Sequence, residues 1–227
     1  MEEGEKTVTA IFTVDDKDIA FLKCQWNDLL SFYTSDQSIK DNSCQILKEK
    51  YSEKSRFYHN LSHVKALLNL LDSLKDKIQD QNAIRFSLLF HDVIYDTRRN
   101  DNEEESARFA SETLDKLHIN TKTIEFIRDL ILATKSHSGR YLSEEGKLFL
   151  DMDLAILGMK EETYQKYSKA IREEYSWVPE RIYRRSRTEI LQGFIDRERI
   201  YFTNEMKNRY EEQARKNIRE EIKSLGG

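Results

Sequence analysis

Within "LLFHDVIYD", residues 88–96, His91 and Asp92 stand side by side in an otherwise apolar run. Removing an imidazole and a carboxylate from water among Leu88, Leu89, Phe90, Val93 and Ile94 is costly unless a partner compensates. Adjacent residues on a helix point about 100° apart, so the two cannot share one side-chain partner across a helix face. They can both reach an ion at a helix end or at a junction between helices. Imidazole with carboxylate is a ligand set suited to Zn, Mn, Fe, Ni or Co.

Two other stretches add candidates, the first by spacing and the second by the same anomaly. In "RFYHNLSHV", His59 and His63 are four apart, which puts both rings on one helix face about a turn from each other. In "KLFLDMDLAILGM", Asp151 and Asp153 interrupt an apolar run. Two apart on a helix, they point about 200° apart, so one of them faces a shared site. Asp153 is the favoured ligand; Asp151, the alternative, is better placed to cap the helix or bond backbone. A single site assembled from His63, His91, Asp92 and one of these aspartates would relieve three costly burials together.

The elements that must position such a site are helical. One proline and seven glycines leave few breakers, and apolar residues recur at helical spacing, as in Leu61, Val64, Leu68 and Leu71, or Ile124, Ile127 and Ile131. We expect an all-α single domain over 1–227, with the site core at about 55–160 and C-terminal helices from 161 packing on it. Helices are predicted over 16–34, 40–51, 60–77, 81–95, 102–117, 121–136, 143–158, 161–175, 179–201 and 204–223, with caps at 80–82, at 100–102 and at Thr203. His118, in "DKLHIN", falls at a helix end, where cation–dipole stabilisation explains it.

Bulk properties narrow the function. With 38% hydrophobic and 34% charged residues the surface is heavily solvated, and a net charge of −4 gives no reason to expect a nucleic-acid partner. Cys24 and Cys44 are too few for a disulfide framework or thiolate zinc site. The N-terminal "MEEGEKTVTA" lacks a signal-peptide pattern, and no apolar run could cross a bilayer, so a cytoplasmic location without membrane partner is expected. The Arg-, Glu- and Tyr-rich final fifty residues read as a solvated helical face, compatible with a homodimer.

In order, "FYHNLSHV", "LLFHDVIYD" and "FLDMDLAILG" resemble the motifs of the HD superfamily of metal-dependent phosphohydrolases over about a hundred residues. "NEEESA", "ILATKSH" and the C-terminal "YRRSRTEILQGFIDRERIY" are similar to a subgroup of small HD proteins. The resemblance implies one divalent ion (Mn, Fe, Ni, Co or Zn, with Mg compatible) held by His63, His91, Asp92 and Asp153, and leaves a second ion open. It implies hydrolysis of a small phosphorylated substrate, a nucleotide or related phosphoester, by metal-activated water. The alternative is a module that binds a nucleotide or phosphate and signals to a partner without turnover.

"YHNLSH" is also similar to the first signature of the cyclic nucleotide phosphodiesterases, which would make His59 the proton donor to the leaving oxygen. In several HD groups a histidine placed like His137 holds a second metal or touches phosphate; a solvated helix-end role is the alternative. Phosphate needs cations, and Lys135, Arg56 and Arg98 are the candidates, followed by Arg99 and Arg140. Asp96, one turn beyond Asp92 along the same helix, could orient water or transfer a proton, or bind Arg98. Glu103, Glu104 and Glu105 fit a helix N-terminus. The chain lacks the extension of HD enzymes that cut cyclic dinucleotides. Tyr58, Phe57, Tyr95, Tyr141 and Trp177 could stack a base, though each is first a core or interface residue.

Overall fold

The computed structural model describes residues 12, 14–140 and 142–226; the N-terminal decapeptide and Tyr141 lie outside them. The described residues form ten α-helices and no strands. They are α1 Asp16–Leu30, α2 Gln37–Tyr51, α3 Leu61–Leu74, α4 Gln81–Phe90, α5 Asn102–Lys116, α6 Thr121–Thr134, α7 Glu144–Asp153, α8 Glu161–Glu174, α9 Glu180–Ile195 and α10 Asn204–Ser224. Their starts follow local chemistry. Asp80, Asn120, Ser143 and Thr203 each accept a backbone N–H two or three residues into the helix they begin, which satisfies one of its orphan donors.

Helix α4 is the axis of the bundle. It is apolar nearly all round, with Ala83, Ile84 and Phe86 to Phe90 buried, and it packs between α3 and α6. Trp26 of α1 meets Phe86 and Phe90 edge-on. Four expected helices end early, the first of them, expected over 16–34, at Leu30. The one expected over 81–95 stops at Phe90, so His91 is its C-cap and residues 91–96 are loop. The one expected over 143–158 becomes a 3-10 turn at Leu154–Gly158, and the one expected over 179–201 ends at Ile195. No helix among the described residues is long and apolar enough to cross a membrane.

The C-terminal helices bind the 3-10 turn. The Tyr201 hydroxyl donates to the Leu154 carbonyl, and the Asn217 amide to those of Leu157 and Met159. Gly158 lies so close to α10 that a Cβ there would stand 2.5 Å from the Tyr210 Cβ and 2.7 Å from its carbonyl oxygen. Buried Arg187 of α9 forks onto Glu221 of α10, which also accepts from the Tyr164 hydroxyl of α8. The residue at the head of this anchored turn is Asp153.

Candidate metal centre

Three side chains separated by as much as ninety residues, His63, His91 and Asp153, meet at one point, and a fourth, Asp92, stands beside His91. His63 comes from the first turn of α3, His91 and Asp92 from the C-terminus of α4, and Asp153 from the last position of α7. His63 Nε2 is 3.3 Å from His91 Nε2, and each lies 3.5 Å from Asp153 Oδ1. Asp92 Oδ2 is 3.0 Å from His91 Nε2 and 3.9 Å from His63 Nε2. Ligands about 2.1 Å from an ion stand ~3.0 Å apart at neighbouring octahedral positions and ~3.4 Å apart on a tetrahedron, so these separations suit a single cation. His63, His91 and Asp153 each direct one donor atom into a group spanning no more than 4.8 Å.

The surroundings fit the same donor set. The His91 Nδ1–H donates to the Leu88 carbonyl at 3.0 Å, which fixes the tautomer and turns Nε2 toward the cluster. Helices α4 and α7 end at the cluster, and their C-terminal dipoles favour positive charge; α3 presents the opposite end. Two carboxylates with two neutral imidazoles leave a charge that a divalent cation balances.

Burial pushes the His91 imidazole down, yet Asp92 and Asp153 outweigh it and hold His91 well above the usual histidine range. Burial instead prevails at His63, which is lowered. Asp153 is held well below the carboxylate range despite burial, by hydrogen bonds from His137, His63 and His91.

Asp153 and Asp151 have separate roles. The Asp151 carboxylate is fully buried and accepts the Phe202 and Thr203 amides and the Thr203 hydroxyl, at 2.7, 2.7 and 2.6 Å. It therefore ties the loop before α10 to α7, and it caps no helix of its own. Asp153 Oδ2 is 2.9 Å from His137 Nε2. His137 follows the end of α6 with a left-handed backbone, φ 45°, an uncommon state for a residue other than glycine. Arg197 holds it there by donating to the Ser136 and His137 carbonyls. His137 is thus part of the cluster's edge, whereas His118 is exposed at the end of α5 as expected.

His59 lies beside the cluster, its ring centroid 6.0 Å from that of His63. Its Nδ1 faces Glu174 Oε2 at 2.7 Å, and its ring stacks on Tyr95 at 4.1 Å. Glu174 is buried; Oε1 accepts the amides of Phe57, Tyr58 and His59, and Oε2 also accepts the Tyr95 hydroxyl. Burial lowers the His59 pKa, but Glu174 and then Asp92 raise it above the ordinary value. Glu174 itself is lowered, the His59 charge and these hydrogen bonds outweighing its burial. The sequence reading missed Glu174. Its signal was a carboxylate in the last turn of α8, where the helix dipole disfavours negative charge.

The expected phosphate-binding cations are placed differently. Arg56 is buried, with its guanidinium donating to the carbonyls of His59, Asp92 and Val93 and to Glu53. It joins the loop before α3 to the loop after α4, so its donors are already engaged. Lys135 bonds Glu104 and the Asn100 carbonyl. Arg98 lies over the Trp177 indole, and Arg99 pairs with Asp101. Asp96 is exposed in the loop and accepts the Arg98 amide in a turn, because α4 has ended six residues earlier. Comparison of the chain with family models, curated proteins and solved structures finds no match in any of the three.

Proposed function

We propose that this chain is an HD-type metal-dependent phosphohydrolase acting on a small phosphorylated molecule, with a nucleotide or related phosphoester as substrate. The observation that carries the reading is the convergence of His63, His91 and Asp153 on one point, at separations suited to a single divalent ion, with Asp92 beside His91 as the fourth expected ligand. Such an ion supplies, when bound, an acidified water and a Lewis acid for a phosphoryl oxygen. Asp153 shares its carboxylate between the cluster and His137, which keeps Oδ1 directed inward. His59, its Nδ1 proton held by Glu174, presents Nε2 to a leaving oxygen and donates a proton there. Loading the purified chain with Mn, Co, Ni, Fe or Mg and assaying nucleotides and simple phosphoesters tests the reading. Asp92→Ala is expected to lose metal and turnover together, and turnover surviving in it defeats the assignment.

A second reading, a module that binds a phosphorylated ligand without hydrolysing it, draws on one observation. Arg56 and Lys135, two of the cations expected at phosphate, are committed to protein partners. Metal-dependent ligand binding with no product across the same panel would favour it.

A further inference from the structure

A cleft of about 440 Å³ opens between the loop after α4 and the C-terminal end of α8. Its walls include Tyr95, Arg98 and Trp177 but neither His59 nor any of the four cluster residues. Glu174 lies on the Nδ1 side of His59 and also lines the cleft, so the cleft sits behind His59, away from its Nε2 edge. The volume is in the range of small-molecule sites, about 300–1,000 Å³.

Trp177 is the unusual wall. It is 48% exposed, yet its indole N–H donates to Thr97 Oγ1 at 2.8 Å and its ring lies under the Arg98 guanidinium, 5.4 Å from the centroid. A large aromatic held rigidly in solvent is a stacking platform prepared in advance. Two acids on the walls are paired, Glu53 with Arg56 and Glu174 with His59 and three amides, while exposed Asp96 accepts the Arg98 amide. Arg98 has no carboxylate within ion-pair distance among the described residues, and Lys50 only a loose one, Glu53 at 3.9 Å. Two acids on the walls, Asp96 and Glu173, likewise have no cation within ion-pair distance among the described residues.

We propose that this cleft is a second binding site, for a small planar aromatic anion of the nucleoside monophosphate kind. The ring stacks on Trp177, and the anion sits between Arg98 and Lys50. The occupant touches Tyr95 and Glu174, which hold His59; an effect on turnover rests on the function proposed above, but the binding does not.

Adenosine 5′-monophosphate is the probe, titrated into EDTA-treated protein while tryptophan emission is followed. Trp26 is fully buried, so quenching reports on Trp177. The expected result is saturable quenching of equal affinity in the wild type and in Asp92→Ala. Arg98→Ala and Lys50→Ala should each weaken it by about tenfold, the loss of one charge-assisted contact. Adenosine and inorganic phosphate alone should bind more weakly than the nucleotide. No saturable quenching overturns the proposal, as does adenosine binding as tightly as the nucleotide. Quenching lost in Asp92→Ala but kept in both cation variants also overturns it, by placing the nucleotide at the cluster.

Discussion

Replacing Glu174 by glutamine changes no shape and tests how His59 is held. In the native protein Glu174 Oε1 takes three amides, and Oε2 takes the His59 Nδ1–H and the Tyr95 hydroxyl. A glutamine that keeps its oxygen on the amides must turn its NH₂ toward two donors. His59 then flips tautomer, accepting at Nδ1, or loses the contact. A buried charge-assisted hydrogen bond contributes about 1.5–3 kcal/mol, so Glu174→Gln is expected to lose about 3 kcal/mol. The loss depends on pH. Glu174 is lowered in the fold, so its contribution is present above its ordinary 4.5 and fades as pH falls through the folded value. His59 is raised, so its contribution is full below its ordinary 6.5 and fades as pH rises through the folded value. The gap between wild type and variant is therefore widest between about pH 4.5 and 6.5 in metal-free protein. Urea midpoints at pH 5.5 and 8.5 measure it, and ¹⁵N spectra of the imidazoles read the tautomer. A gap that is constant or larger at pH 8.5, with His59 unchanged in tautomer, refutes the reasoning.

Other expectations are as direct. Asp151→Ala leaves the Phe202 and Thr203 donors without their buried acceptor and should cost about 2–4 kcal/mol in urea unfolding, while metal content stays as in the wild type. Gly158→Ala should destabilise by at least about 2 kcal/mol, because the Tyr210 backbone cannot retreat without moving α10; a neutral result by thermal unfolding contradicts that packing. Metal uptake should release a proton near neutral pH, because His91 is held above its ordinary value and must deprotonate before Nε2 can bind. Affinity should then rise about tenfold per pH unit below the folded pKa of His91, and calorimetry showing pH-independent affinity would count against it.

Helix number and order were legible because breakers are rare and polar caps stand at the starts; Asp80 and Thr203 both cap as read. His91, Asp92 and Asp153 were legible as candidates because each interrupts an apolar run, and His63 because it stands one helical turn from His59. Helix ends were not. Apolar periodicity continues through Val93 and Ile94, both of which pack inward from a loop, so nothing local marked the end of α4 at Phe90. That boundary sets the site, because a C-cap position lets His91 and Asp92 reach one point. Asp96 was misplaced for the same reason. Arg56, Lys135 and Glu174 were misread or missed because their partners lie far along the chain: Asp92, Glu104 and His59 respectively. Charge in a sequence does not reveal which charges are already paired.

The most direct measurement is the position of a bound ion. Crystals soaked in Mn and measured for anomalous scattering should show one peak, with the His63 and His91 Nε2 atoms and carboxylate oxygens of Asp92 and Asp153 about 2.0–2.3 Å away. A chain that takes up no ion after reconstitution, or binds one elsewhere while these four side chains keep their present separations, contradicts the account.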